Sequence, residues 1–282
     1  MSGFYRANID FITAHAVSAD KKRYVDSTEA PRHYLDADHY GKKPFRLIPE
    51  RWKDAVLKFS EDTLNKYGIV PWSIQSNYYW LVKAFKEHDT SRILTTSANL
   101  AHYIADAHVP LHLIQNHDGQ LTNQNGTHAL WESRIPELFA NNYNCYTGKA
   151  RYIESPIKEA FKICRTSFSQ ADSVLRLQRI LNKYYSDDKK FTTELRGKKM
   201  VKVYSPQYCR DYQRLMRGMV QRRMRSTVLA VGSFWYSAWV DAGQPDLNKL
   251  IKKSLTAAEV QKLNKEEAVF RSGKIAPFDV KP

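Results

Sequence analysis

The sequence has few cysteines and no long apolar run, and each shortage excludes a class of protein. The three cysteines, Cys145, Cys164 and Cys209, contain no C-x-x-C pair, so they make neither a disulfide framework nor a thiolate zinc site. No apolar stretch approaches the roughly twenty residues of a membrane-spanning helix. The opening residues, MSGFYRANIDFITAHA, lack the basic and apolar regions of a secretory signal. We therefore expect no stable membrane insertion.

Acidic residues are also scarce relative to basic ones. The chain has 29 Asp and Glu against 44 Lys and Arg, which gives a formal charge of +15 over 282 residues. Such an excess favours polyanionic partners, either nucleic acid or an anionic lipid surface, although much of the charge can equally be solvated helix surface. The hydrophobic content of 43% is that of a soluble globular protein.

No strand pattern or internal repeat stands out, so the sequence predicts an all-α fold in a single domain over residues 1–282. The polar stretch 18–41 and the basic stretch 187–200 are predicted as a loop and a linker, and residues 245–282 as a peripheral extension. Helices are predicted over 4–16 and 49–67, after Pro71 and over 91–107. Further helices are predicted from about 127 onward and over 156–185, 206–242 and 255–270. The helix after Pro71 is predicted from its apolar residues Tyr79, Leu81, Val82 and Phe85. The helix 206–242 has an apolar aromatic face, which we expect to be buried, and a polar face. The arginines of that polar face are Arg210, Arg214, Arg217, Arg222, Arg223 and Arg225.

Potential metal ligands are dense between residues 99 and 132, in NLAHYIADAHVPLHLIQNHDGQLTNQNGTHALWE. They are His102, Asp106, His112, His128 and Glu132. Two of the intervals, His102 to Asp106 and His128 to Glu132, are i,i+4, which places both side chains on one face of a helix. A single such pair is more often a solvated surface pair. Five imidazoles and carboxylates within about thirty residues predict a site for more than one metal ion.

The preceding loop adds further candidates. It contains the ligand-type or phosphate-binding residues Asp20, Arg23, His33, Tyr34, Asp36, Asp38 and His39. A long polar segment inside a folded domain is usually functional or disordered, and this composition favours function.

The order of these residues resembles one superfamily, which joins zinc-dependent single-strand nucleases to bacterial zinc-dependent phospholipase C. The motifs are H102-Y-I-A-D106-A-H-V-P-L-H112 followed by H128-A-L-W-E132, with A-D20-K-K-R23-Y and R-H33-Y-L-D36-A upstream. The segment RRMRSTVLAVGSFWYSAWVDAGQPDL is similar to the family's closing helix. The match covers most of residues 10–245. It implies a multi-helix phospholipase C/nuclease-type fold and a secreted or periplasmic protein.

The resemblance also implies the metal ligands. One zinc would be held by Asp20, His33, His102 and Asp106, and a second by His112, His128 and Glu132. The counterpart of Asp106 bridges to a third zinc in the family. The other ligands of that third zinc, an N-terminal Trp and a nearby His, are not in this sequence. His15 does not match a ligand position, and we interpret it as structural or surface.

The implied activity is zinc-dependent hydrolysis of a phosphodiester. Asp20 stands at the position that orients or deprotonates the attacking water, and Arg23 is spaced to bind a phosphate oxygen, although it can also be a solvated member of its basic run. In the nuclease branch an aromatic residue stacks on a base and an acid reads its edge, roles that match Tyr34 and Asp36. Both residues can equally belong to the core or support the ligands.

Two alternatives remain open. The first is a phospholipase C, but Lys21 and Ala30 stand where that branch has aromatic residues. The second is an inactive zinc-stabilised helical protein that binds polyanions through its basic helix. No protein partner is indicated.

Overall fold

The computed structural model describes residues 1–197, 199–250 and, further on, 257–258, 260–261, 264–265 and 268. These residues form a single, predominantly helical domain, which confirms the predicted all-α class. The helices of the first half are α1 (Ser2–Ala7), α2 (Ile9–Ala14), α3 (Ser18–Lys22), α4 (Pro44–Leu47), α5 (Trp52–Phe59), α6 (Glu61–Tyr67), α7 (Val70–Lys86) and α8 (Thr90–His108). Those of the second half are α9 (Thr127–Ala129), α10 (Ile135–Phe139), α11 (Pro156–Asn182), α12 (Asp187–Lys190), α13 (Pro206–Leu215) and α14 (Met219–Asp241).

Short 3-10 turns and one π-helical segment connect these helices. The 3-10 turns are Ala30–His33, Ala37–Tyr40, Pro110–Leu113, Gln120–Thr122, Ala140–Asn142 and Leu247–Lys249. The π-helical segment is Leu130–Arg134 and directly follows α9. Within the described residues, no helix is both long and apolar enough to cross a membrane.

The core is organised around α7 and α8, which pack against each other and against α11 and α14. Only three residues separate α7 from α8, and the Asp89 side chain caps α8 by accepting a hydrogen bond from the Arg92 amide. Tyr5 of α1 stacks on Trp235 of α14 with ring centroids 4.3 Å apart, so the predicted burial of the aromatic face of α14 is confirmed at this position. A second apolar cluster lies between α11 and α13.

Three of the predicted helices are divided in two. Residues 49–67 break at Ser60, whose φ of 67° is left-handed and whose hydroxyl caps α6 by accepting from the Thr63 amide. Residues 206–242 break at Arg217 and Gly218, which have φ of 50° and 73°. Residues 4–16 break at Asn8, whose side-chain amide donates to the Phe4 carbonyl. In each case a local backbone or side-chain geometry interrupts an apolar pattern that continues across it.

The predicted basic linker is wrong, as is the prediction that the chain has no strand. Residues 187–200 contain α12 and the first part of an antiparallel hairpin, β1 (Phe191–Arg196) with β2 (Lys199–Tyr204). The strand signal was hidden because four charged residues, Glu194, Arg196, Lys199 and Lys202, interrupt the apolar pattern of two short strands. The two strands are defined by their pairing and by a long-range contact. In that contact the buried Arg134 side chain bonds to the Glu194 carboxylate and to the Tyr204 carbonyl.

Three smaller predictions also need correction. The loop 18–41 contains α3 and two of the 3-10 turns. The extension is not wholly peripheral, since Leu247 and Leu250 join the core. Arg223 does not lie on the exposed polar face of α14; it is buried, because its guanidinium bonds to the carbonyl of His108 and to Ser167. The predicted helix 255–270 lies mostly outside the described residues.

Candidate metal centre

Three side chains from distant parts of the chain meet in a first cluster. Asp20 comes from α3, His33 ends a 3-10 turn and His102 lies on α8. The His102 Nε2 atom is 3.1 Å from His33 Nδ1, and the Asp20 carboxylate oxygens lie 3.5 Å from His102 Nε2 and 3.6 Å from His33 Nδ1. One donor atom from each residue lies within 4.8 Å of the others, an arrangement able to hold a metal ion.

Asp106 joins this cluster from the next turn of α8. Its Oδ2 atom is 2.9 Å from His33 Nδ1 and 3.3 Å from His102 Nε2, as the i,i+4 spacing to His102 predicts. Its other oxygen, Oδ1, lies 3.9 Å from His112 Nδ1. The buried Asp106 carboxylate therefore stands between the first cluster and the residues of a second.

The second cluster consists of His112, His128 and Glu132. The Nε2 atoms of His112 and His128 are 3.1 Å apart, and Glu132 Oε2 lies 3.4 Å from the first and 2.5 Å from the second. Glu132 belongs to the π-helical segment Leu130–Arg134, a wider turn of the kind often found at functional sites.

Backbone hydrogen bonds fix how two of the histidines face their clusters. His102 Nδ1 donates to the Ala16 carbonyl at 2.8 Å, and His112 Nδ1 donates to the His33 carbonyl at 2.8 Å. In the neutral ring, each Nε2 then carries a lone pair that points at another imidazole nitrogen. A cation placed among these nitrogens and the neighbouring carboxylate oxygens would be bound by atoms from every member of each cluster. The donor chemistry of both clusters therefore fits a metal ion.

Reciprocal bonds also lock the loop that carries His33 against the turn that carries His112. The Leu35 amide donates to the His112 carbonyl at 2.9 Å, opposite the bond from His112 Nδ1 to His33. Farther along this loop, the Val70 amide donates to the Tyr34 carbonyl at 3.1 Å. Gly68, with φ of 91°, permits this approach, because a Cβ there would lie 2.2 Å from the Tyr34 oxygen.

Charge complementarity in the clusters is strong. Burial by itself would lower the pKa of His102, but the Asp106 and Asp20 carboxylates outweigh burial and hold that pKa well above its ordinary value. Burial would likewise raise the pKa of Asp106, yet the rings of His102 and His112 hold it well below its usual range. The pKa of His112 rises to about 9, because Asp106 and Glu132 overcome its burial.

Sequence reasoning missed two carboxylates that support the ligands. Glu29 is 2% exposed and lies 3.6 Å from His33 Nε2, a buried nitrogen with no hydrogen bond of its own. The Tyr103 hydroxyl donates to the same Glu29 oxygen, Oε1. Asp118 accepts hydrogen bonds from the amides of Gly126 and His128, which fixes the start of α9. The E-x-x-x-H spacing from Glu29 to His33 could have identified Glu29 from the sequence. No such spacing identified Asp118.

The predicted substrate residues lie beside the first cluster and along the adjoining loop. Arg23 is half-exposed, with its NH1 3.8 Å from Asp20 Oδ1. Tyr34 is half-buried and its hydroxyl donates to the Lys66 carbonyl. Burial and the neighbouring Asp38 raise the pKa of Asp36 to about 7, although His112 acts in the opposite direction. Asp38 itself accepts from the Gln115 amide, and the His39 ring stacks on Tyr67.

His15 belongs to neither cluster. Its ring stacks on Phe11 with centroids 4.0 Å apart, and Nδ1 donates to the Phe11 carbonyl. These contacts agree with a structural position.

Compared with known proteins, the chain matches no family model and no curated protein. The functional argument therefore depends on the residues and their geometry.

Proposed function

We propose that this protein is a zinc-dependent phosphodiester hydrolase of the nuclease type, acting on single-stranded nucleic acid or nucleotides. The observation that carries the proposal is the pair of donor clusters, three residues each, connected through Asp106 and His33. The resemblance to the zinc nuclease and phospholipase C superfamily names the same residues. Two adjacent metal positions suit phosphodiester hydrolysis, which needs stabilisation of both the attacking and the leaving oxygen.

Zinc fits both donor sets. Imidazole nitrogen and carboxylate oxygen are its usual ligands, and neither cluster contains the thiolates of a closed structural site. Asp20, His33, His102 and Asp106 would hold one ion, and His112, His128 and Glu132 the other. The first ion would have four protein ligands. The second would have three, so a fourth position would remain for water or a phosphate oxygen.

The protein groups around the first cluster have distinct roles in this proposal. Bound zinc would supply a hydroxide at neutral pH by lowering the pKa of a coordinated water. The Asp20 carboxylate, whose side chain is 41% exposed, would orient a coordinated water and take up its proton. The Arg23 guanidinium, beside Asp20, binds a nonbridging phosphate oxygen.

Nucleic acid is the favoured substrate class. The formal charge of +15 draws a polyanion toward the site, and Tyr34 offers an aromatic ring for stacking on an unpaired base while Asp36 reads its edge. The residues at 21 and 30, Lys and Ala, give no support to an aromatic pocket for a lipid head group.

Metal content and hydrolysis test the proposal together. We expect at least two zinc ions per chain by mass spectrometry, and hydrolysis of a simple chromogenic phosphodiester that is lost on chelation and restored by zinc. His128→Ala should lose one zinc and most of the activity, whereas His15→Ala, which removes a ring stacked on Phe11, should keep both.

The competing functions predict different results. Fewer than two zinc ions together with no hydrolysis after zinc addition would contradict the proposal and leave the inactive zinc-stabilised protein. Hydrolysis of phosphatidylcholine but not of single-stranded DNA or RNA would identify a phospholipase C. Full activity in His128→Ala would refute the assignment of the second cluster.

A further inference from the structure

Four arginines surround one cavity at the junction of α11, α13 and α14. They are Arg176, Arg214, Arg217 and Arg222. The cavity has a volume of about 500 Å³, and Leu177, Met216 and Met219 contribute an apolar floor. No described residue that lines it carries a carboxylate. The sequence placed three of these arginines on one basic stretch, but Arg176 comes from a helix thirty or more residues earlier.

The break between α13 and α14 shapes this arginine cavity. Arg217 has a left-handed φ of 50° and Gly218 follows with φ of 73°, so the chain changes direction between the two helices. The Arg222 guanidinium donates to the Arg217 carbonyl and so holds the break. Arg214 near the end of α13, Arg217 at the break and Arg222 in the first turn of α14 all line one concavity.

The positive charge of the cavity is only weakly neutralised. Arg176 lies 3.6 Å from Asp172, but that carboxylate is 88% exposed, and exposed pairs contribute little. Arg214 lies 3.4 Å from Asp211, which is also bonded to Tyr185 and Gln207. Among the described residues, neither Arg217 nor Arg222 has a carboxylate within 4 Å. An anion that entered the cavity would relieve the repulsion among these guanidinium groups.

We propose that the arginine cavity binds the phosphate backbone of a single-stranded nucleic acid, at a place separate from the metal centre. Guanidinium groups recognise phosphate by paired hydrogen bonds, and clusters of arginine are a recurrent means of binding phosphorylated ligands. The charge comes from three helices, so it suits several consecutive phosphates better than one. The partly exposed Leu177 and Leu215 side chains that line the cavity accept the face of a base or a sugar.

The shape of the site favours a strand over a membrane. A bilayer surface is flat, and membrane-binding surfaces present protruding apolar side chains to it. Here Met216 and Met219 are buried at the bottom of a concavity, and Leu215, at 38% exposure, is the one apolar lining residue that is exposed among four arginines. A flexible strand can enter such a concavity. This inference rests on the proposed function for its choice of nucleic acid as the polyanion.

The test measures binding of the full chain to a fluorescent 12-nucleotide single-stranded DNA in the presence of EDTA, so that any metal-dependent hydrolysis is stopped. The variant is Arg214→Gln/Arg217→Gln/Arg222→Gln, and the matched control is Arg6→Gln/Arg46→Gln/Arg165→Gln, which removes three exposed arginines elsewhere. Each phosphate contact contributes about 0.7 to the slope of log K against log salt for single strands. We therefore expect the variant to lose about 2 from that slope and the control to lose much less.

Several outcomes would overturn the inference. Equal losses in the variant and the control would show diffuse electrostatic attraction. Binding of a mononucleotide as tight as that of the 12-mer would show a site for one phosphate. Loss of binding to phosphatidylglycerol vesicles, with binding to DNA unchanged, would show a lipid site.

Different experimental results would contradict the proposed hydrolase and the inference about the arginine cavity. Hydrolysis of a small phosphodiester by wild type, with an unchanged salt slope in the variant, would contradict the cavity inference alone. A changed slope without any zinc-dependent hydrolysis would contradict the proposed enzyme alone.

Discussion

Two faces of α8 use the same kind of side chain in opposite ways. On one face, His102 lies one turn before Asp106, and the carboxylates around it hold its pKa well above the ordinary value. On the other face, His108 is 3% exposed, its Nδ1 donates to the Ile104 carbonyl, and no carboxylate of the described residues is bonded to it. Burial and the nearby Arg223 lower the pKa of His108 to about 3.

The difference teaches that the charge facing a histidine, and not its burial, decides its role here. Both rings are largely removed from water, and the helix backbone is the same. His102 faces acids and belongs to a set of donors that a cation can join. His108 faces a guanidinium, so a cation would be repelled, and the ring serves packing at the end of α8.

The largest expected effect comes from removing the acid that distinguishes the two faces. Asp106→Asn should lose the metal of the first cluster and about 10³-fold in phosphodiester hydrolysis, or about 4 kcal/mol in the activation free energy. The carboxylate contacts His33 and His102 and stands next to His112, so both clusters depend on it. Zinc content and steady-state rates measure the result. Asp62→Asn, an exposed substitution on α6, is the control, and a variant that retained two zinc ions and full activity would contradict the central position of Asp106.

On the opposite face, Arg223→Ala should destabilise the protein without changing its metal content. It removes the donors to the His108 carbonyl and to Ser167, whose hydroxyl also bonds to the Ala107 carbonyl. Leaving such buried acceptors unsatisfied should lower the free energy of unfolding by about 3 kcal/mol. Urea denaturation measures this change. The exposed Arg210→Ala on α13 should stay within about 0.5 kcal/mol of wild type; equal losses in both variants would remove the distinction between them.

The neutral state of His108 predicts a pH effect of intermediate size. The folded pKa of about 3 lies below the unfolded value near 6.5, so the unfolded chain binds the extra proton as the pH falls. Stability therefore declines below pH 6.5, by about 2 kcal/mol at pH 5 from this group. Urea denaturation at pH 7 and pH 5 should show a decline in wild type that is smaller in His108→Gln by this amount. An identical decline in both proteins would mean that His108 is not held neutral.

The smallest expected effect concerns Glu29 and compares the first donor cluster with the second. Glu29→Gln weakens the orientation of His33 through its Nε2 atom and should reduce zinc affinity of the first cluster about tenfold, or about 1.4 kcal/mol. Competition with a chromogenic chelator measures both sites. The second cluster should be unchanged, as should both sites in the exposed control Glu61→Gln. An equal loss at both sites would indicate a general loss of structure.

Local spacing predicted part of this arrangement and long-range contacts decided the rest. The i,i+4 pairs His102–Asp106 and His128–Glu132 depend only on helix geometry, and the structure brings each pair together. The meeting of Asp20 and His33 with α8 was not predictable from spacing, and only the family resemblance suggested it. The structure shows their proximity.

The errors in the fold have a similar cause. The left-handed residues Ser60 and Arg217 are not glycines, so a helical pattern ran across both breaks. Arg223 follows Arg222 directly and looked equally exposed, but the carbonyl of His108 at the end of α8 draws its guanidinium into the core. The hairpin of β1 and β2 depends on pairing and on Arg134, and neither is visible in a window of local sequence.

The separation of the ligands along the chain also sets an order for folding. The contacts between His112 and Glu132 close a segment of 20 residues, whereas those between His33 and His102 close one of 69. The longer closure costs roughly 1 kcal/mol more in chain entropy, and it requires the N-terminal segment to dock on α8 first. We therefore expect the second cluster to acquire its ion earlier during refolding. The loop that carries His33 and Leu35 then docks on the His112 turn, which is already in place, and forms its reciprocal bonds there. This docking completes the first cluster.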